Sequence, residues 1–222
     1  MLNGNALKLI AAFTMLLDHI GHILFPQVAW LRIVGRLAFP IFAFMIAEGC
    51  RYTRSKRRYL GLIAALAALY QIAYYLFDRS LYFSIFTTFS LSILTIYAMD
   101  EVKENPRPAS FWMLWGAVVA VWWLNQKLTI DYGFWGCMAP VFAALPDKTK
   151  YDQPAIRVAA LGVGLVLLCG TGFSLQPFSL LALPLLLCYN GKRGKWNLKY
   201  FFYIFYPVHL VILEAIAMLM GR

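Results

Sequence analysis

The sequence predicts an all-α, polytopic integral membrane protein: a helical bundle of about nine transmembrane helices, with the N-terminus inside and the C-terminus outside. Three observations carry this expectation. Hydrophobic residues make up 62% of the 222-residue chain and charged residues only 14%, whereas a soluble domain carries roughly 25% charge. The charges are clumped, and the apolar runs between them are about 17–22 residues long, enough to cross roughly 30 Å of hydrocarbon as a helix. Finally, the basic clusters fall in every second loop between those runs, which places all of them on one side.

The expected spans are roughly 5–25, 28–50, 59–77, 81–99, 110–126, 129–146, 155–172, 174–190 and 200–220. They must be helices, because lipid leaves no backbone polar group unpaired and runs of this length are too long for barrel strands. With the N-terminus inside, the inner side receives Lys8, the five basic residues from Arg51 to Arg58, Lys103, Arg107, Lys148, Lys150, Arg157, Lys192, Arg193, Lys195 and Lys199. That is 15 of the 20 basic residues; Arg32, Arg36, Arg79, Lys127 and Arg222 fall outside. No linker or repeat divides the chain, which reads as a single transmembrane domain over residues 1–222.

Several classes are set aside. The net charge of +10 reads as topology rather than nucleic-acid binding, because basic residues gather in cytoplasmic loops. Cys50, Cys137, Cys169 and Cys188 fall in or beside different spans without a CxxC or Cys/His cluster. Neither a disulfide nor a metal site is expected. Only Lys8 precedes the first apolar stretch and no small-residue cleavage site follows it, so that stretch is expected to remain as a span.

Polar residues inside such spans are costly and face the bundle interior or a wet cavity. Asp18-His19-Ile20-Gly21-His22 lies near the outer third of the first helix, with Asp18 and His22 on one face. Arg32 and Arg36 share the same spacing at the start of the second. A short turn around Pro26 makes the two helices antiparallel and brings an Asp18–Arg36 ion pair within reach. The bland alternatives are a helix end wetted by headgroups and arginines snorkelling to the surface.

Pro40 is expected to free the carbonyl of Arg36. Glu48 lies near the inner end, either lining a site or paired at the interface with Arg51 and Arg54. Asp131-Tyr132-Gly133 could cap a helix dipole or join an outer cavity. In Tyr206-Pro207-Val208-His209, Pro207 is expected to free the carbonyl of Tyr203 and bend the last helix beside a buried histidine. His19 and His209 lie at comparable depth, which favours a shared polar cavity. Two inner loops are strongly basic: Arg51, Arg54, Lys56, Arg57 and Arg58, and Gly191-Lys192-Arg193-Gly194-Lys195. They set topology, or form a phosphate-binding mouth in which glycines expose backbone N–H groups to an anion.

These residues together resemble the TraX family. The resemblance rests on Leu7-Lys8-Leu9-Ile10-Ala11, Met15, Asp18-His19 and Gly21, and on Arg32-Ile33-Val34-Gly35-Arg36-Leu37-Ala38-Phe39-Pro40. It continues through Phe42-Ala43-Phe44, Glu48-Gly49, Thr53-Arg54-Ser55, Asp131-Tyr132-Gly133, Gly191-Lys192-Arg193-Gly194, and Phe202-Tyr203-Phe205-Tyr206-Pro207-His209-Leu210. Between about residue 60 and residue 128 only hydrophobicity is shared.

The resemblance implies an acyltransferase of the bacterial cytoplasmic membrane. It would use cytosolic acetyl-CoA as donor and pass the acetyl group to an amine or hydroxyl acceptor at or beyond the outer face, such as a pilin N-terminus, a small molecule or a glycan. CoA phosphates would dock on Arg51, Arg54, Arg57, Arg58, Lys192 and Arg193. His19 would act as general base or take the acyl group covalently, since imidazole titrates near neutrality. Asp18 would orient or stabilise the site with Arg36 as partner, and His209 or Tyr206 would position the acceptor or polarise the thioester. Arg32, Arg36, Glu48, Asp131, Tyr132 and Tyr206 would line it. The alternatives are a transporter or flippase using the same cavity without chemistry, and a non-catalytic assembly factor for a pilus or envelope subunit.

Overall fold

The computed structural model describes the chain except residues 80, 148–152, 171, 173, 174, 196–198 and 222. Lys148, Lys150 and Arg222, counted above for topology, therefore lie outside the described residues. The protein is helical almost throughout. Helix α1 (Gly4–His19) runs directly into one π-helical turn, Ile20–Leu24. It is followed by α2 (Ala29–Gly35), α3 (Ala38–Tyr52), α4 (Lys56–Asp78), α5 (Ile85–Glu104), α6 (Pro108–Lys127), α7 (Gly133–Ala144) and α8 (Pro154–Cys169). A 3-10 stretch (Gln176–Leu181) leads into α9 (Ala182–Leu187), and α10 (Lys199–Leu219) ends the chain. Two-residue strands β1 (Tyr82–Phe83) and β2 (Thr129–Ile130) pair in parallel.

Every expected span has a helical counterpart, with informative differences. The second is two helices, because the chain turns at Arg36-Leu37 between α2 and α3. Pro40 thus falls in the first turn of α3, where its missing N–H has no helical partner to lose. The fourth begins at Ile85 rather than near residue 81, because Tyr82 and Phe83 are taken by β1. Pro207 does not end α10, which continues as one α-helix through it.

Four stretches are long and apolar enough to cross a membrane: Gly4–Leu24, Ala29–Tyr52, Lys56–Leu76 and Ile85–Glu104. By contrast α7 has 12 residues, about 18 Å of rise against roughly 30 Å of hydrocarbon. Large apolar side chains on α6 point outward: Trp112 is 76% exposed, and Trp115, Trp122 and Trp123 are each at least half exposed. A surface of that kind belongs in lipid, with Trp near both helix ends. The protein is a helical membrane protein.

The chain groups into two compact units, Met1–Phe42 with Cys169–Arg222, and Ala43–Leu168. In the second, α5 packs against α4, α6 and α7. The buried hydroxyls of α5 are Thr88, Ser90, Ser92 and Thr95. Each donates to a carbonyl, and Ser92 reaches both Thr88 O at 2.9 Å and Cys137 O of α7 at 2.7 Å. Such interhelical bonds take the place of hydrophobic driving force in lipid. A Cβ on Gly164 of α8 would meet Phe142 at 3.0 Å and the Ala139 Cα at 3.2 Å, so glycine allows α7 and α8 their close approach.

The same unit holds a buried ion pair that corrects one expectation. Glu48 of α3 (4% exposed) is not interfacially paired with Arg51 or Arg54. Its partner is Arg157 of α8 (3% exposed), whose guanidinium also lies 5.7 Å from the Phe44 ring. Arg157 is therefore a core charge and not a loop charge, while Arg51 donates to the Pro146 carbonyl at 3.4 Å. Removing one partner leaves a buried, unmatched charge. Glu48→Gln or Arg157→Met is expected to destabilise by about 3–5 kcal/mol. The double variant Glu48→Met/Arg157→Met should recover most of that loss in denaturant titrations of the detergent-solubilised protein.

Candidate functional site

The first unit assembles the polar residues read from the sequence. Asn3 caps α1 by accepting the Ala6 N–H at 2.9 Å. The amino-terminal segment is stitched to the loop before α10. Leu2 N–H donates to Cys188 O at 2.8 Å, Asn190 N–H to Leu2 O at 2.9 Å, and Gly4 N–H to Lys192 O at 2.8 Å. At the other end of α1, Asp18 accepts from two arginines of the next turn of chain. Arg36 Nη2 donates to both carboxylate oxygens at 2.5 and 2.6 Å, and Arg32 Nε donates to Oδ1 at 3.1 Å. The Asp18–Arg36 pair read from i,i+4 spacing is present, and Arg32 joins it. Asp18 is only 15% exposed, so these are bonds in a poorly solvated place rather than surface decoration.

Two glycines make this geometry possible. A Cβ on Gly35 would collide with the Cα, Cβ and Oδ1 of Asp18. A Cβ on Gly21 would meet the Leu31 Cβ at 2.8 Å and the Arg32 side chain at 3.3 Å. The α1–α2 contact is thus a close backbone approach that only glycine permits. The π turn at Ile20–Leu24 then aims His22 at Arg32, whose Nη1 donates to His22 Nδ1 at 2.8 Å. Single π turns inside α-helices recur at functional sites.

His19 precedes that π turn and meets α10. Its Nδ1 lies 2.9 Å from Nε2 of His209, whose own Nδ1 is 2.7 Å from the Phe205 carbonyl. The Phe205 ring stacks on His209 at 4.8 Å and 17°, and Tyr206 stands edge-on to both histidines at 6.3 and 5.7 Å. Further along the helices, Leu16, Ile20 and Ile23 pack with Leu24, Leu213 and Ala217. Among the described residues of α10, Tyr206, His209, Leu213 and Ala217 form a buried stripe, whereas Ile204, Val208, Val211 and Ile212 point outward. Helical spacing therefore puts His209 on the buried face of α10, where it meets His19.

Glu48 belongs to the second unit and its ion pair. Asp131 and Tyr132 belong to that unit too. Asp131 accepts from Tyr82 Oη at 2.9 Å through its carboxylate and from Thr88 Oγ1 at 2.6 Å through its carbonyl. Its N–H donates to Phe83 O at 2.9 Å. Tyr132 and Gly133 both have φ of 62°, making a tight turn into α7. This segment ties the β1–β2 ladder to α5 and α7. Burial and the Asp131 carboxylate push the Tyr82 phenol well above its ordinary range, so it remains a donor.

Of the basic inner loops, Lys56 faces Asp100 and Glu104 of α5 at 3.8 and 3.7 Å. Arg54, Arg57 and Arg58 are exposed and make no ion pair among the described residues. In the first unit Lys192 and Arg193 are exposed, and Gly191 and Gly194 take positive φ. The Lys192 N–H is already given to Asn190 Oδ1 at 2.9 Å, so that amide is not offered to an anion.

The model of the family described as "TraX protein" matches residues 3–217. The chain belongs to the TraX family. A relative from Dichelobacter nodosus, "Probable fimbrial assembly protein FimC, serogroup H1", is 27% identical over 93% of this chain and 92% of its own length. "Uncharacterized protein RP591" of Rickettsia prowazekii (strain Madrid E) is 30% identical over 57% of this chain and 49% of its own length. No solved structure matches the chain. Within this TraX protein, three contributors were missed by sequence reading: Arg157, Gly35 and the Phe205 carbonyl. Arg157 carried a usable signal, being an arginine in an apolar run while Glu48 lacked an assured partner.

Gly35→Ala is expected to force α1 from α2 and break the Asp18 bonds, costing about 1–3 kcal/mol. Gly116→Ala on α6, where a Cβ meets nothing within 4 Å, should be neutral or stabilising by up to about 1 kcal/mol. Thermal denaturation in detergent separates the two.

Proposed function

We propose that this TraX protein is a multi-pass acyltransferase of the bacterial cytoplasmic membrane, moving an acetyl group from cytosolic acetyl-CoA to an amine or hydroxyl acceptor at or beyond the outer face. The observation that carries this reading is His19, partly exposed, hydrogen-bonded to a second histidine and set beside an Asp18–Arg32–Arg36 cluster. A base held by a partner next to fixed cationic donors is what acyl transfer asks for. The base accepts the nucleophile's proton while the donors stabilise charge developing on the carbonyl oxygen. Asp18 holds the arginines in place. Tyr206, edge-on to both rings, orients them and the acceptor. Arg54, Arg57, Arg58, Lys192 and Arg193 offer exposed cations suited to the phosphates of CoA, with Arg51 secondary because it is engaged by a carbonyl.

The nine-crossing topology with N-terminus inside and C-terminus outside belongs to the same proposal. It keeps every basic cluster on the side where CoA is found. Single cysteines introduced at Arg54 and Arg79 in a chain freed of its native cysteines should label from opposite sides of sealed spheroplasts.

The name of the Dichelobacter relative favours a second reading, a pilus-related assembly factor that binds a subunit without chemistry. One assay separates the two. Purified protein in nanodiscs is given radiolabelled acetyl-CoA with a panel of amines, hydroxyl compounds and peptides bearing free N-termini. The acyltransferase reading expects CoA release that falls on the order of 10²–10⁴-fold in His19→Ala. No turnover with any acceptor favours the assembly reading, whereas turnover indifferent to His19→Ala keeps the acyltransferase and removes His19 as its base.

A further inference from the structure

Hydrogen-bond chemistry assigns the protons on the two facing histidines. The carbonyl of Phe205 can only accept, so the His209 Nδ1 that lies 2.7 Å from it carries the hydrogen. No carboxylate is hydrogen-bonded to either ring among the described residues, Asp18 is held by two arginines, and an unpaired charge is costly in a poorly solvated place, so we take both rings as neutral. A neutral imidazole has one N–H, and His209 Nε2 is therefore a lone pair. It faces His19 Nδ1 at 2.9 Å, so that nitrogen must donate. One lone pair then remains in the pair of rings, on Nε2 of His19. The same logic gives His22 the opposite form. The Arg32 guanidinium can only donate, so His22 Nδ1 accepts and its proton sits on Nε2.

We propose that His209 is a positioning residue that fixes His19 as its Nδ1–H tautomer and thereby makes Nε2 of His19 the atom presented to substrate. The role of Nε2 rests on the acyltransferase reading above; the tautomer does not. On that reading the acceptor nitrogen or oxygen bonds to the thioester carbonyl carbon and its proton passes to His19 Nε2. The tetrahedral intermediate then collapses, the C–S bond breaks, and the proton is returned to the leaving CoA sulfur. No electrons are exchanged with any other group. Throughout, the Nδ1–H of His19 stays bonded to His209. His209 performs the orienting task that a carboxylate performs in a hydrolase triad, but adds no charge to a poorly solvated site. His209 itself is 5% exposed and clamped by Phe205 stacking and by its own carbonyl bond.

The chain contains only three histidines, His19, His22 and His209, so the assignment is directly measurable. Long-range ¹H–¹⁵N correlation spectra of ¹⁵N-histidine-labelled protein in nanodiscs should show His19 and His209 protonated at Nδ1 and His22 at Nε2. In His209→Phe, His19 should revert to Nε2–H, while an unchanged His22 signal reports an intact α1–α2 pair. In His209→Gln, the amide oxygen occupies the place of the lost Nε2 and His19 should stay Nδ1–H. Turnover should follow the tautomer. We expect kcat lower on the order of 10²–10⁴-fold in His209→Phe, with KM for acetyl-CoA little changed and most activity restored in His209→Gln. His19 found as Nε2–H in the native protein, or unmoved by His209→Phe, overturns the inference. An intact Nδ1–H signal with no acetyl-CoA turnover overturns the acyltransferase reading and leaves the assignment standing.

Discussion

The first unit depends on one carboxylate. Asp18 sits at 15% exposure and is shared by Arg32 and Arg36, and the consequences run outward from it. In lipid, apolar burial does little to hold one helix on another, because the tails outside are as apolar as the side chains within. Register between α1 and α2 therefore has to come from close packing and polar bonds. Gly35 supplies the close packing by letting the α2 backbone approach Asp18, and the i,i+4 spacing of the arginines supplies two donors for one acceptor. With the end of α1 held there, the π turn directs His22 to Arg32 and leaves His19 against α10. A charge that would be a liability alone becomes the fixed point around which two histidines are aimed.

The second unit solves the same problem with different groups. Glu48 and Arg157 neutralise one another in its core, and the buried hydroxyls of α5 spend their protons on carbonyls of their own helix, of Asp131 or of α7. The Asp131-Tyr132-Gly133 segment looks from sequence like a site element. Tyr82, Thr88 and the β1–β2 ladder engage it as a joint. Its left-handed residues turn the chain sharply into α7, so its composition reflects backbone geometry as well as whatever chemistry it serves.

What the sequence made legible follows from the range of each interaction. Helices were legible because a helix-length apolar run is a local property. The Asp18–Arg36 pair was legible because a short turn equates depth in two neighbouring helices, so spacing on each translates into proximity. The meeting of His19 and His209 could be read as shared depth, but not as a hydrogen bond or a proton assignment, which require atoms. The partner of Glu48 was misread because Arg51 and Arg54 are near in sequence, whereas Arg157 is brought in by tertiary packing that no periodicity encodes. The break beside Pro40 was legible only in part for a related reason. The Arg36-Leu37 turn has already ended one helix before α3 begins at Ala38, with Pro40 in its first turn rather than at its interruption.

The use of a neutral histidine to orient another bears on why such a site can exist in a bundle at all. A carboxylate beside His19 would hold it equally well, but a second anion near the bilayer interior needs a second set of cations, and those need packing of their own. Asp18 already engages two arginines and two glycines to be tolerated. His209 needs only a main-chain carbonyl, an aromatic ring stacked upon it and a place on the buried stripe of α10. The arrangement thus separates two tasks that a hydrolase triad merges. Charge is concentrated in the Asp18 cluster, where it organises the fold, while tautomer control is delegated to a group that stays neutral. That division accounts for the presence of both an ion-paired cluster and a histidine pair at the end of a single helix.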